Sequence, residues 1–235
     1  LRFEAKGGDA EVTGLKSTAA DGAAMVKASG DIVDAGETAK DVEAASVQLM
    51  AGGSVGERAG QNNGPLDLEV ATLAAQAGAL GSVYLSEADG LFVGTVAAID
   101  VNRVDMDSTS LPTADGAALS GAVAGQNVKI ENGVDAAGDL TVNDVVTATA
   151  GDVLLDAKDG DLLVNAAVTA GDDATLLASG DIVQAAVAVT ATAGDILAEA
   201  GAGIEMVDGA TATAGGDLRF EAKGGDAEVT GLKST

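Results

Sequence analysis

Two adjacent acids in Gly171-Asp172-Asp173 are the residues of this chain that most directly suggest catalysis. Acid–base chemistry by carboxylates needs two of them held across a cleft, with pKa values that differ. The chain contains no histidine and no cysteine, so the usual bases and thiol nucleophiles are missing. Acids that recur beside glycine are typical of chain corners. We therefore predict that these acids are structural, that the chain is not an enzyme and that it has no catalytic residues.

Calcium is the metal that Asp-rich turns favour, because it takes about six to eight carboxylate and carbonyl oxygens. The calcium-binding nonapeptide G-G-x-G-x-D-x-U-x does not occur, and Gly7-Gly8-Asp9 and Gly215-Gly216-Asp217 are only fragments of it. The glycine pattern G-x-G-x-x-G and a phosphate loop ending in Lys-Ser/Thr are also missing. The sequence thus predicts no cofactor and no specific metal site, with weak, non-specific Ca²⁺ association.

Threonines precede corner glycines in TATAG at 147–151, 190–194 and 211–215 and in AVTAG at 167–171. Aligned on these glycines, they predict two columns along the molecule. The first column is Thr149, Thr169, Thr192 and Thr213, and the second is Thr147, Thr190 and Thr211. Such Thr-x-Thr ladders resemble the surfaces of ice-binding proteins, which makes these seven threonines a candidate surface-binding ladder. The alternative is structural, because threonine suits outward strand positions.

The elements that hold these residues follow from Gly-Asp pairs, which recur with a period of about 20–23 residues. Between them, stretches such as VLLDAK (153–158) and ILAEAG (196–201) alternate apolar and polar residues, which predicts half-buried strands. Gly-Asp pairs this frequent would break helices before they nucleate. We expect each glycine to supply a positive φ and each Asp to bond its own backbone. The predicted inward residues are Val153, Leu155, Ile196, Ala198, Leu218 and Phe220, and the predicted outward ones are Asp156, Glu199 and Glu221.

Recurring strands at this spacing stack best in parallel, each coil on the one before it. The sequence therefore predicts an all-β fold, a right-handed parallel β-helix with about ten coils of 20–23 residues in 217 residues. GERAGQNNGP (56–65) and DSTSLPTADG (107–116) are expected to be loops that leave the coil.

The first eighteen residues, Leu1–Thr18, return without change as Leu218–Thr235. We interpret 1–217 as one complete tandem repeat and 218–235 as the start of the next. On this interpretation the two segments should have the same inward and outward faces and differ by a translation of roughly ten strand spacings, about 48 Å. Neighbouring identical repeats, stacked head to tail, are the expected partners.

Composition excludes several classes of partner. The formal charge is −25, with 37 acids and 12 bases, which disfavours nucleic acids and anionic membranes. No apolar run is long enough to span a membrane. Almost all of the apolar residues are small or aliphatic, and only one Tyr and three Phe occur. Such residues suit a thin core between facing sheets.

The segment MAGGSVGERAGQNNGPLDLEVATLAAQAGALGSVYLSEADGLFVGTV (50–96) resembles the coils of filamentous-haemagglutinin-like proteins, as do the phrases ASGDI and AGDIL. These are large bacterial adhesins, many of them exported by two-partner secretion. The resemblance implies a parallel β-helix located outside the cell or on its surface. It also implies a stalk or filament segment of a very long protein, which could contact other filaments or a host or partner cell surface. The alternative is a surface-binding module, for ice through the Thr ladder or for a glycan through the loops.

Overall fold

The computed structural model describes residues 1–36, 39–58, 64–113 and 117–235, and every regular element in those ranges is a β-strand. Most strands are three to five residues long, because turns at the corners interrupt the chain. The bounds are β1 Arg2–Ala5, β2 Ala10–Val12, β3 Leu15–Lys16, β4 Ala23–Ala28, β5 Ile32–Asp34, β6 Val42–Ala51, β7 Leu66–Gln76, β8 Val83–Glu87, β9 Leu91–Val93, β10 Thr95–Val96, β11 Val101–Val104, β12 Ser110–Thr113, β13 Leu119–Ser120, β14 Ala122–Ala124, β15 Val128–Asn132, β16 Leu140–Val142, β17 Val146–Ala148, β18 Val153–Ala157, β19 Leu162–Val164, β20 Val168–Ala170, β21 Ala174–Ala178, β22 Ile182–Gln184, β23 Ala188–Ala191, β24 Ile196–Ala200, β25 Ile204–Met206, β26 Thr211–Ala214, β27 Leu218–Ala222, β28 Ala227–Glu228 and β29 Leu232–Ser234.

In residues 122–235 each coil contains three strands, and each strand pairs in parallel with its equivalents in the coils before and after it. This arrangement creates three faces. Face A contains β14, β17, β20, β23, β26 and β29; face B contains β15, β18, β21, β24 and β27; and face C contains β16, β19, β22, β25 and β28. Partner residues in face A, from Thr147 through Thr169, Thr190 and Thr213 to Lys233, lie 20–23 positions apart, as predicted.

The three faces continue into residues 1–121 through the same parallel pairing. Face A continues through β7, β6 and β4 to β1, and face B continues through β8, Val55 and β5 to β2. Face C continues through β9 to the middle of β7, at Thr72 and Leu73. Face A then contains ten strand segments among the described residues. The predicted parallel β-solenoid of about ten turns is therefore confirmed.

Small aliphatic side chains fill the interior. The inward ladder of face B includes Leu155, Leu176 and Ala198, each no more than 1% exposed. Val153 and Ile196 are buried beside them, as predicted. Leu218 and Phe220 point inward and pack against this core in the last coil. The outward set is also as predicted, with Asp156, Glu199 and Glu221 half-exposed. Alternation along the strands thus gave the correct faces.

The two identical segments form matching strands but lie on different faces. β1 belongs to face A, whereas β27, which contains the same RFEA, belongs to face B. β2 belongs to face B, whereas β28, with the same Ala-Glu, belongs to face C. The expected pure translation between the segments is therefore wrong. The faces differ because β26, on face A, lies eight coils beyond β1, and the repeated sequence begins in the next strand, β27, on face B.

Two departures interrupt the coil. Val55 pairs with Val83 and Leu66 pairs with Leu85, so residues 56–58 and 64–65 lie outside the strand that these pairs define. The second departure runs from β10 to β13, which pair antiparallel with each other, and it includes the antiparallel hairpin β11–β12. Residues 59–63 and 114–116 of the expected loops lie outside the described residues.

Candidate functional site

Side-chain oxygens form a ladder along the corner between faces A and B. Each member except the last, Asp217, accepts a hydrogen bond from the backbone N–H of the equivalent residue in the next coil, at 2.6–3.4 Å. We call this row the corner ladder, and its members are Asp9, Asp31, Ser54, Ser82, Asn127, Asp152, Asp173, Asp195 and Asp217. Because the corner has no strand pairing of its own, these bonds satisfy backbone donors that a neighbouring carbonyl does not reach.

A shorter ladder occupies the corner between faces B and C. Asp139 accepts from the N–H of Asp161 at 2.9 Å, and Asp161 accepts from Asp181 at 2.7 Å. Asp181 in turn accepts from the N–H of Gly203 at 2.6 Å. A carboxylate acceptor makes a stronger hydrogen bond than a neutral one, which favours Asp at this corner. The Gly-Asp acids in these ladders therefore connect successive coils. Our expectation that each Asp would bond its own backbone is wrong for these acids.

The glycine of several Gly-Asp pairs has a steric role. A Cβ on Gly30 would overlap Oδ1 of Asp9, and one on Gly216 would overlap Oδ1 of Asp195. Neither glycine has a positive φ. Our expectation that corner glycines supply positive φ is therefore wrong for these positions. Glycine is needed because the carboxylate of the preceding coil occupies the space that a side chain would fill.

The acids of Gly171-Asp172-Asp173 lie on an open corner. Asp173 belongs to the corner ladder, and its Oδ1 accepts from the N–H of Asp195 at 2.7 Å. Carboxylate oxygens of Asp152, Asp172 and Asp173 lie within 4.8 Å of one another, and Asp172 and Asp173 are exposed. Such a group attracts cations through its charge. It does not place two carboxylates on opposite walls of a cleft, as a pair of catalytic acids requires.

The structure brings four of the seven candidate threonines into one row. Thr147, Thr169, Thr190 and Thr213 pair in register on the outer side of face A, and all are half-buried. The other three, Thr149, Thr192 and Thr211, lie outside this row and are exposed. The two columns predicted from spacing are therefore wrong. The cause is the number of residues between strand and glycine, which differs from coil to coil.

A groove of about 380 Å³ lies beside the first departure from the coil, at Gly56–Arg58. Its lining includes Asp31, Glu57, Arg58 and Tyr84. The hydroxyl of Tyr84 accepts a hydrogen bond from the Nδ2 of Asn127 at 3.1 Å, which fixes the ring beside the corner ladder. An aromatic ring beside acidic and basic side chains offers both stacking and hydrogen bonds to a polar ligand.

Glu87 is a buried acid that the sequence interpretation did not identify. Its Oε1 accepts from the N–H of Val70 and its Oε2 from the N–H of Asp89, both at 2.8 Å. The side chain is fully buried, and this burial raises its pKa to about 7 against the lowering effect of the two hydrogen bonds. The alternation of VYLSE was the available signal, because it places Glu87 on the same inward side as Val83 and Leu85.

A second, smaller core lies on the outer side of face A in the first half of the molecule. Val96 and Ile99 cover Met25 and Ala74, all of them less than 10% exposed. The Nε2 of buried Gln48 donates to the backbone carbonyls of Val96 and Ala97 at 2.9 and 3.0 Å. The departure between β9 and β14 is thus anchored to the coil by apolar contacts and by one buried amide.

Within the described residues, no helix is long and apolar enough to cross a membrane. Comparisons of the chain with protein-family models, with curated proteins and with solved structures found no match.

Proposed function

We propose that this chain is a structural segment of a very long, extracellular, adhesin-like repeat protein. Its function is to act as a stalk or filament body that holds binding regions away from a cell. The observation that carries the proposal is the combination of a corner ladder spanning nine coils with an identical sequence at its first and last coils. A structure whose last coil repeats the sequence of its first can be extended by further copies.

The surface chemistry supports a rod that remains separate from its neighbours. The formal charge of −25 repels other rods of the same kind. Among the described residues, most ion pairs join residues of the same or adjacent coils. Lys158 lies 3.1 Å from Asp156 and 3.6 Å from Glu131, and Lys223 pairs with Glu199. These pairs connect outward side chains along face B and leave a net negative surface.

The proposed partners are neighbouring identical repeats, and possible further partners are other filaments or a host or partner cell surface. Nucleic acid and membrane insertion form no part of the proposal, because few basic residues oppose the many acids. We propose no enzymatic activity and no cofactor, with Ca²⁺ associating weakly at the Asp corners. A specific rise in melting temperature with millimolar Ca²⁺, beyond that of a magnesium control at equal ionic strength, would contradict this last point.

Electron microscopy tests the proposal in two settings. Proteins containing one, two and three copies of residues 1–217 should appear as rods whose length increases in equal steps. Antibodies to the chain should label fibres outside the cells that produce it. Compact particles whose length does not increase with copy number would refute the rod, and exclusively intracellular labelling would refute the location.

A surface-binding module is the second candidate, and the groove beside Tyr84 favours a glycan as its ligand. The groove combines an aromatic ring with Glu57 and Arg58, a set of groups suited to sugar hydroxyls. A glycan array probed with the chain and with Tyr84→Ala tests this candidate. The Thr row is the corresponding candidate for ice, and Thr169→Lys should abolish thermal hysteresis if it binds ice. If the array retains no glycan and the chain shows no thermal hysteresis, both the glycan-binding and the ice-binding candidates are excluded.

A further inference from the structure

The shift of the two identical segments from one face to another has a consequence for how copies join. We infer that each successive copy of the 217-residue sequence is turned by one-third of a turn about the rod axis, so that face B of one copy continues as face A of the next. This inference rests on the proposed function, which supplies the following copy. The interaction surface is the open edge formed by β27, β28 and β29, and its occupant is the next copy of this chain.

Strand pairing at the start of the chain defines what this edge accepts. β4 lies on β1 with Arg2 opposite Met25, Phe3 opposite Val26 and Glu4 opposite Lys27. The same residues recur in β27 as Arg219, Phe220 and Glu221. Residues 25–28 of a following copy therefore meet, on face B, the same strand that they meet on face A at the start of the chain.

The second strand at the edge, β28, leads to the same arrangement. β5 pairs with β2 through Ala10 and Ile32, and β28 repeats the β2 sequence on face C. β6 pairs with β3 through Leu15 and Val42, and β29 repeats the β3 sequence on face A. The β1 and β2 pairings of the first coil can thus form at the last coil, each displaced by one face. The third strand differs, because β3 lines up through Val42 and Leu68 with Glu87 at the end of face B, whereas β29 lies on face A.

Chain connection supports this displacement independently. The chain ends on face A with β29, and the strands of this half follow the order A, B, C. The next strand must then lie on face B, which is the face of β27. The turn between copies is therefore required by the path of the backbone as well as by the matching of sequence.

The edge also has apolar side chains that a following coil would cover. Leu232 is 44% exposed, and its counterpart in the first coil, Leu15, is half-buried under β6. All residues of β28 and β29 are exposed. Parallel pairing with another copy would bury these side chains and satisfy the backbone groups of the open edge.

The pairing gives the dimensions of the joined copies. Along face A, β26 lies eight coils beyond β1, and β27 follows it by one face. One copy therefore advances eight and one-third coils, which is about 40 Å at a strand spacing of ~4.8 Å. Three copies bring each face back to its starting direction after about 120 Å. A surface feature such as the hairpin β11–β12 then points in three directions along the filament.

Paired cysteines test the turn, because the chain has no cysteine of its own. The test protein has residues 19–235 repeated after Thr235. Outward positions in adjacent parallel strands are close enough for a disulfide, which needs Cα atoms about 4.4–6.8 Å apart. The turned arrangement places Lys27 of the second copy beside Glu221, and an unturned arrangement places it beside Lys233. The two variants are therefore Glu221→Cys and Lys233→Cys, each combined with Lys27→Cys of the second copy.

After mild oxidation, we expect the Glu221 pair to form a disulfide in more than about 80% of molecules and the Lys233 pair in few of them. The opposite result would overturn the turn between copies and leave the proposed rod intact. If neither pair forms, small-angle scattering decides. A particle as long as two stacked copies would contradict the one-third turn between copies but not the rod. A particle no longer than one copy would contradict the proposed function as well.

Discussion

The two halves of this molecule both stack their coils by parallel strand pairing, but the coils of the second half are more regular. In residues 122–235 every coil has three short strands, and partner residues in face A lie 20–23 positions apart. In residues 1–121 the strands β6 and β7 contain ten and eleven residues, and a departure separates β9 from β14. Both halves keep parallel register throughout the faces. Stacking of the coils therefore requires parallel register between paired strands, whereas the number of residues between the strands can vary.

The corner ladder shows the same contrast at the level of single residues. In the second half its rungs are Asn127 and then Asp152, Asp173 and Asp195, whereas in the first half Asp9 and Asp31 are followed by Ser54 and Ser82. All three residue types place an acceptor oxygen next to the following N–H. The ladder therefore requires an oxygen at this corner and tolerates different charges.

Truncation of the inner core should have the largest effect. Leu155→Ala removes a fully buried side chain from face B, and we expect it to lower the free energy of unfolding by about 2–5 kcal/mol. Its neighbour Leu154 points outward, so Leu154→Ala should cost less than about 1 kcal/mol. Urea denaturation of both variants measures the difference. Equal losses would contradict the alternation of faces in the regular half.

Glu87 gives the first half a pH dependence of its own. Its folded pKa of about 7 lies above its ordinary value of 4.5, so the folded state keeps a proton that the unfolded state has lost between these values. The contribution of Glu87 to stability therefore decreases as pH rises from 4.5 to 7, by about 3 kcal/mol in total.

Glu87→Gln should remove this decrease, whatever its effect on absolute stability. The difference in unfolding free energy between wild type and variant, measured from pH 4.5 to 8, reports it. Glu199→Gln is the control from the second half, because the hydrogen bond from Lys223 lowers the pKa of Glu199. Its contribution is present above its ordinary pKa and is lost as pH falls. Parallel curves for wild type and Glu87→Gln would show that Glu87 does not titrate in this range.

Glycines at tight corners should be less tolerant in the regular half than glycines at open positions in the first half. A Cβ on Gly201 would overlap the backbone of Ser179, and we expect Gly201→Ala to cost about 1–3 kcal/mol. The nearest atom to a Cβ on Gly94 is a threonine methyl at 3.6 Å, so Gly94→Ala should be nearly neutral. Thermal unfolding of the two variants compares them. A destabilised Gly94→Ala with an unchanged Gly201→Ala would reverse the steric assignment.

The smallest effect should come from a single rung of the corner ladder. Asp195→Ala removes the acceptor for the N–H of Asp217, and we expect it to cost about 1 kcal/mol. Asp195→Asn keeps an acceptor, as Asn127 does in the same ladder, and should be close to wild type. Chemical denaturation distinguishes the two. If both variants lost equal stability, the carboxylate charge and not the acceptor would be the feature that matters.

The regular half could be predicted from sequence because one local rule governs it. Alternation in VLLDA and ILAEA identified the inward Leu155 and Ala198 correctly, and Gly-Asp pairs marked the corners. The function of the Gly-Asp pair could not be predicted, because its contact is with the coil before it, about 22 residues away. Spacing within one coil does not report which residue lies above which.

The first half was less predictable for the same reason. The departure between β9 and β14 packs Val96 on Met25. These residues are about 70 positions apart, and no local sequence pattern indicates their contact. The Thr columns failed because the counting started at the glycines, whereas register is set by buried residues such as Val168 and Val189. A strand pattern aligned on those inward residues would have selected Thr147, Thr169 and Thr190 together.

The corner ladder has a direction, because each oxygen belongs to one coil and each N–H belongs to the coil that follows it. A folded coil therefore presents its side-chain acceptor oxygens on the side where the next coil will fold. A polypeptide that emerges with its N-terminus first always meets a completed template, and each new coil needs only the one before it. Vectorial folding of this kind avoids a search for distant partners, and it proceeds at the same pace however many coils the polypeptide contains.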